Sequence, residues 1–185
     1  AFDTDYIDLY QCHNVATEQQ LNAILEPGGA LQALLEAKKA GKVRFIGISG
    51  HRPPIMAGAA KSNSFDTIQV PYNFIERAAE EELFPLARET GLGIIVMKPL
   101  AGGVFSRPDL ALKFLLNNEQ ISSVIPGMDS LEQVEKNAGL AARIEPLSQS
   151  ELEYLQKETE KVGERFCRRC DYCKPCPQGI DISGS

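Results

Sequence analysis

Five short runs of β-forming residues, each followed by a segment of helical apolar spacing, constrain this chain more than any other feature. The runs are Tyr6–Cys12, Val43–Ser49, Thr67–Val70, Gly93–Met97 and Ser123–Pro126. They recur at spacings of roughly 23 to 38 residues, too far apart for hairpins and right for helical crossovers. Such crossovers return the chain to the same end of the sheet, so the sheet is parallel and covered by helices. A closed barrel and an open doubly wound sheet both meet that condition. An open dinucleotide-binding sheet carries Gly-x-Gly-x-x-Gly after a strand, and none of these runs is followed by one. The expected fold class is α/β, a (β/α)8 TIM barrel, incomplete with five βα units, followed by a helix and a small cysteine-rich module.

The helical segments carry their own punctuation. Leu31, Leu34, Leu35 and Lys38 mark a first helix, with lysines in its last turn and Gly41 as its stop. Glu80, Glu81 and Glu82 are placed to open a later one, favourable at the positive end of a helix dipole. Leu83, Leu86 and Ala87 then face inward and Gly91 closes it. Leu112, Leu115 and Leu116 belong to the next helix. Ser130-x-x-Gln133 and Ser148-x-x-Glu151 are capping-box patterns that open two more.

Composition sets the outer limits. The 185 residues are 43% hydrophobic, enough for one ordinary core, and their net charge of −6 does not suit a nucleic-acid partner. No apolar run is long enough to cross a membrane, and the first residues show no basic secretory leader. A whole barrel takes roughly 250 residues. The chain divides into residues 1–147, a partial barrel, and residues 148–185, a helix leading to the cysteine segment.

Cysteine placement is the sharpest compositional fact. Cys12 stands alone, whereas Cys167, Cys170, Cys173 and Cys176 fall together near one end. A disulfide scaffold spreads its cysteines to close useful loops. A bunched set suits a metal or cluster in a reducing cytoplasm, which makes the cytoplasm the expected compartment. Steps of three followed by Cys-Pro resemble a ferredoxin run and point to a 4Fe-4S cluster. Arg165, Arg168, Arg169 and Lys174 are placed to offset its negative charge. Structural zinc on four thiolates and unliganded reduced thiols are the alternatives.

In barrels the chemistry sits where strands end. That selects His13, Ser49, Gln69, Met97–Gly103 and Pro126–Ser130. With these positions and the cysteines in hand, the chain resembles the aldo-keto reductases, in the bacterial branch that carries a C-terminal iron–sulfur region. Tyr6-Ile-Asp-Leu-Tyr-Gln-Cys-His13 resembles that family's fourth strand and its histidine, and Gly41-Lys-Val-Arg-Phe-Ile-Gly-Ile-Ser49 its approach to the fifth. Ile68-Gln-Val-Pro-Tyr-Asn73 is similar to strand six, and Val96-Met-Lys-Pro-Leu-Ala-Gly-Gly103 to strand seven and its loop. Ile125-Pro-Gly127 through Asn137 is similar to strand eight and its cofactor loop. The cysteine segment is close to that branch's own signature.

The resemblance implies NAD(P)H-dependent reduction of a small-molecule carbonyl, with hydride from the nicotinamide and a proton from a general acid. His13 matches the family's carbonyl-orienting histidine; the plainer reading is a hydrogen-bonded histidine at a strand end. Ser49 and Gln69 match its carboxamide contacts, with Gly50 where other branches have asparagine, and Gln69 also reads as a capping amide in the barrel mouth. Met97 stands where a stacking tyrosine is common. Lys98, Leu100 and Gly102 match the phosphate-side loop, and Lys98 also reads as a snorkelling lysine. Gly127, Gln133 and Asn137 match the adenosine end, without the cations of strongly NADP-specific members, and Gln133 has its capping role as well.

The family's aspartate, tyrosine and lysine belong to units that precede its fourth strand, and its branch carries a further cysteine group after Cys-Pro-x-Gly-Ile. The chain therefore reads as an internal portion of a longer oxidoreductase, inactive by itself. A second reading is a non-catalytic iron–sulfur electron-transfer or binding protein on a degenerate half-barrel, serving an electron-transfer partner. Two open sheet edges favour association, including with a second copy of the chain.

Overall fold

The computed structural model describes residues 3–162 and 174–180. The chain forms two compact units. A sheet unit takes the chain up to Tyr72, Arg77–Met97 and Glu119–Val124; a helical unit takes Asn73–Glu76, Lys98–Asn118 and the chain from Ile125 onward.

Five strands build the sheet unit: β1 (Ile7–Cys12), β2 (Val43–Ser49), β3 (Thr67–Pro71), β4 (Gly93–Met97) and β5 (Ser123–Val124). All pairs are parallel and the order is β1-β2-β3-β4-β5. Each crossover thus steps to the next strand in the same direction. An open doubly wound sheet reverses direction at its switch point, and this one does not. The doubly wound alternative does not fit this order. Among the described residues β1 pairs only with β2, and β5 only with β4.

Register separates the sheet into two chemically different faces. Ile48, Ile68 and Ile94 align across three strands, followed by Val70 and Val96, and all five are fully buried. Helices α1 (Glu18–Leu25), α2 (Ala30–Lys39), α3 (Pro53–Lys61) and α4 (Leu83–Thr90) complete this layer with Leu21, Leu31, Leu34, Met56, Leu83 and Phe84. The opposite face aligns Gln11, Gly47, Thr67 and Gly93, then Ser49, Gln69 and Ile95. One face supplies hydrophobic burial and the other supplies functional groups.

Several boundaries differ from the sequence expectations. The first crossover holds two helices, because Thr17 and Gln20 form a capping box that starts α1. Helix α4 begins at Leu83 and not at the glutamates. Glu80 lies in a 3-10 turn, where it accepts from the buried Tyr72 hydroxyl and pairs with Arg77 at 2.9 Å. Burial pushes its carboxyl upward, but the Arg77 and Tyr72 hydrogen bonds outweigh that and hold it below the ordinary range. Leu35 is exposed although it shares helical spacing with Leu31 and Leu34. Strand β5 stops at Val124, two residues before Pro126, which has no N–H to extend a ladder. Gly91 closes α4 as expected, at φ 70°.

The helical unit contains α5 (Pro108–Leu116), α6 (Leu131–Ala142) and α7 (Gln149–Val162). Ala101, Phe105, Leu110, Ala111 and Leu155 form its core, with Phe74 and Phe114 packed edge to face at 5.0 Å. Lys113 on α5 bridges to Glu151 on α7 at 2.9 Å. Ser148 and Glu151 complete the capping box that opens α7. At α6 the box is only half made: Ser130 accepts from the Gln133 backbone, but the Gln133 side chain reaches back to the amide of Asp129.

Candidate active site

The polar face of the sheet rises to the C-terminal ends of β1, β2 and β3. Gly47 makes room for it, because a Cβ there would lie 2.4 Å from Thr67 Oγ1 and 3.0 Å from Gln11 Cγ. Gln11 therefore lies across β2 and donates from Nε2 to Gln69 Oε1 at 3.0 Å. Gln69 Nε2 in turn lies 3.6 Å from the Met97 sulfur, a weak acceptor. Gln11, Gln69 and Met97 are thus one connected group.

One strand-end pair stands above this ladder. His13 Nδ1 lies 2.8 Å from Ser49 Oγ, joining the residue after β1 to the last residue of β2. The serine is buried and the histidine exposed. Val15 donates its amide to the Ser49 carbonyl at 2.8 Å, which fixes the loop that carries His13. Beside it, His51 Nδ1 lies 3.0 Å from Asn14 Oδ1, a second link between the same two loops. Cys12 is buried there, and burial pushes its thiol upward, away from nucleophilic chemistry.

Gly50 explains the departure at the position after Ser49. A Cβ at Gly50 would lie 2.4 Å from the Val15 carbonyl oxygen and 2.7 Å from Met56 Cε. Backbone packing here has no space for a side chain, so an asparagine cannot occupy the position without displacing the His13 loop.

In the helical unit, the loop from Lys98 to Gly103 turns by left-handed residues: Lys98, Ala101, Gly102 and Gly103 have φ of 53°, 50°, 75° and 84°. Two of these are not glycine, a conformation that costs about 1–2 kcal/mol each. The fully buried Asn73 holds it, donating from Nδ2 to the Lys98 carbonyl at 3.1 Å while its Oδ1 accepts from the Ile75 and Glu76 amides. Leu100, Gly127, Gln133 and Asn137 line one cleft of about 770 Å3, together with Lys136 and Arg143. Gly102 and Lys98 are not among its lining residues. Lys136 is paired with Glu132 at 2.6 Å, and each holds the other charged by their hydrogen bond.

Of the cysteine segment, Cys167, Cys170 and Cys173 lie outside the described residues. Cys176 lies within them, and the backbone N–H groups of Ile180 and Gln178 draw its thiol below the ordinary range. Among the described residues no group of three or more His, Cys, Asp or Glu side chains is placed to hold a metal. No described helix is long and apolar enough to cross a membrane.

Comparison with known proteins meets this geometry from outside. The family model described as "Aldo/keto reductase family" matches residues 1–110. The chain belongs to the aldo/keto reductase family. It is 27% identical to the uncharacterized oxidoreductase YqkF of Bacillus subtilis, over 85% of this chain and 62% of that protein. It is 32% identical to the probable aldo-keto reductase 1 of Glycine max, over 79% of this chain and 40% of that one. With L-galactose dehydrogenase of Arabidopsis thaliana the identity is 28%, over 77% and 55%. Among solved structures, the holo form of aldo-keto reductase AKR11C1 from Bacillus halodurans superposes with a TM-score of 0.66 at 29% identity, covering 84% of this chain and 59% of that one. The chain therefore spans about 40 to 62% of the length of these relatives. Membership accords with an α/β fold whose parallel sheet resembles the family's barrel.

Sequence reasoning overlooked Gln11, Asn14, His51, Asn73, Lys136 and Arg143. Asn14 and His51 each follow a selected strand-end residue within two positions, which is the one local signal available for them. Gln11 and Asn73 act across strands or loops and carry no such mark.

Proposed function

We propose that this chain supplies the nicotinamide-side strand ends and the carbonyl-orienting histidine of an NAD(P)H-dependent carbonyl reductase that also carries a 4Fe-4S cluster. The observation that carries this reading is the exposed His13 bonded to the buried Ser49 at the ends of adjacent parallel strands. When bound, the nicotinamide supplies the hydride. Ser49 and Gln69 offer a hydroxyl and an amide, complementary to a carboxamide, and Met97 gives the ring a polarizable neighbour. His13 orients the carbonyl oxygen. The Lys98–Gly103 turn, where Gly102 keeps the backbone bare, suits phosphate, and the cleft at Gly127, Gln133 and Asn137 suits the adenosine end.

Residues 1–147 form the reductase portion and 148–185 the helix and cysteine segment. Cys167, Cys170, Cys173 and Cys176 are the proposed cluster ligands, with zinc the competing occupant. The substrate is a small-molecule carbonyl, and a reducing cytoplasm is the compartment in which such thiolates persist.

Cofactor binding by the chain tests the first part. NADH or NADPH is expected to bind, and Ser49→Ala or Gln69→Ala to weaken it about tenfold, one hydrogen bond of about 1.4 kcal/mol. Absence of binding to the intact chain overturns the reading. The chain alone is expected to give no carbonyl turnover, because the family's general acid is not matched in it. Anaerobically prepared protein is expected to show broad visible absorbance and stoichiometric iron; zinc without iron removes the cluster. A cluster without cofactor binding leaves the electron-transfer reading in its place.

A further inference from the structure

We infer that Ser49 is a positioning residue that sets the tautomer of His13, donating its hydroxyl proton to Nδ1 so that the neutral ring keeps its proton on Nε2. The inference rests on the reading of His13 as the carbonyl-orienting group. Ser49 is 1% exposed, and among the described residues its Oγ has one hydrogen-bond partner, His13 Nδ1 at 2.8 Å. A serine hydroxyl carries one proton and two acceptor lone pairs. If Nδ1–H donated to Ser49, the serine's own proton would be buried without an acceptor, which costs about 1–3 kcal/mol. Donation by Ser49 leaves nothing unsatisfied. It also fixes which nitrogen does what, since in neutral imidazole one nitrogen donates and the other accepts.

The consequence is chemical. With Nδ1 occupied as acceptor, Nε2–H is the ring's only donor, the form that can hydrogen-bond a carbonyl oxygen and draw charge onto it. The opposite tautomer would present a lone pair to that oxygen and repel it. Donating to His13 also commits the serine's proton, so toward a cofactor Ser49 acts only as acceptor, matched to the N–H of a carboxamide. Histidine orientation and carboxamide reading then meet in one hydroxyl.

Asn14 and His51 supply an internal control. Asn14 Oδ1 is an acceptor, so His51 Nδ1, at 3.0 Å, must carry a proton. These are the chain's only two histidines, and the structure assigns them opposite tautomers.

The test is long-range proton–nitrogen NMR on the uniformly nitrogen-15-labelled chain, without cofactor or substrate, at about pH 8, where imidazole is neutral. One histidine is expected with an unprotonated Nδ1 and the other with a protonated Nδ1. Ser49→Ala is expected to shift only the first toward a mixture of tautomers, with Ser49→Thr restoring it and the His51 pattern reporting that the fold persists. Two protonated Nδ1 nitrogens in the unmodified chain, or a His13 signal that ignores Ser49→Ala, overturns the inference. The wild-type spectrum decides even where a variant does not fold. An Nδ1 that is unprotonated in a chain that binds no nicotinamide cofactor sinks the proposed function and leaves the positioning role standing; binding with a protonated Nδ1 does the reverse.

Discussion

In the sheet unit the candidate residues stand on strand ends over a layer of Ile48, Ile68, Val70, Ile94 and Val96, every one fully buried. In the helical unit Gln133 and Asn137 stand on α6, which buries none of its residues and leaves Leu131 81% exposed. The difference shows where positional accuracy is held. Under the proposed function a hydride must reach carbon from a defined distance, so the groups proposed to orient its two partners need rigid support. Under the same proposal the adenosine end serves as an anchor, and an exposed helix with a roomy cleft is sufficient for that.

The widest split is expected between the two floors themselves. Ile48→Ala removes a fully buried side chain from the centre of the sheet and is expected to cost about 2–5 kcal/mol in urea unfolding. Leu131→Ala on α6 is expected to stay within about 0.5 kcal/mol. Equal losses at the two sites would mean that α6 is as well supported as the sheet, and the contrast would fall.

Next in size is Gly50. Replacing it with alanine places a Cβ against the Val15 carbonyl oxygen, a backbone atom that cannot swing aside, and against the fully buried end of the Met56 side chain. A loss of about 1–3 kcal/mol is expected, together with a shifted His13 resonance because Val15 moves with its loop. The same glycine marks the limit of what could be read without coordinates. Alternating β-rich runs and helical spacing placed four of the five strands to within a residue at each end, because those runs have no competing structure. Helix α1 escaped although Thr17-x-x-Gln20 signals it, since its apolar stripe is short and only Leu21 is buried. At the site, His13, Ser49 and Gln69 were legible as strand ends. Their contacts were not, because Gln11 reaches Gln69 and His13 reaches Ser49 only once the order of the strands is known. A family pattern flags Gly50 as a departure, whereas only the packing around it says why a side chain is refused.

Tyr72→Phe probes the support beneath the strand ends more gently. The phenol is fully buried and donates to Glu80, while Arg77 holds the same carboxylate with two contacts of 2.9 Å. Because Arg77 remains, about 1 kcal/mol is expected, the usual net worth of one hydrogen bond. A loss of several kcal/mol would show that the three residues act as one cooperative group, which a double variant with Arg77→Met would reveal as non-additivity.

The smallest effect is expected from acid, and it falls on the helical unit. Glu158 on α7 accepts from the Ser106 hydroxyl, from Lys161 and from the Ser106 amide, and these bonds hold its carboxyl at about 2 against an ordinary 4.5. A depressed carboxyl stabilises the folded state fully above its unfolded value, and the contribution fades as pH falls from about 4.5 toward 2. Glu158→Gln keeps an acceptor for Ser106 but cannot ionise. Its urea midpoint should therefore lie below that of the parent chain at pH 6, with the gap narrowing below about pH 4.5 and closing as the pH approaches 2. Glu80, Asp109 and Glu151 are also held below their ordinary range, so both proteins lose stability in acid, and the informative quantity is the gap between them. Tyr154, whose hydroxyl lies 2.8 Å from that of Ser106, is part of the same contact. A gap that stays constant with pH would show that α7 is held by Leu155 and the Lys113–Glu151 bridge alone, with the serine contact contributing nothing.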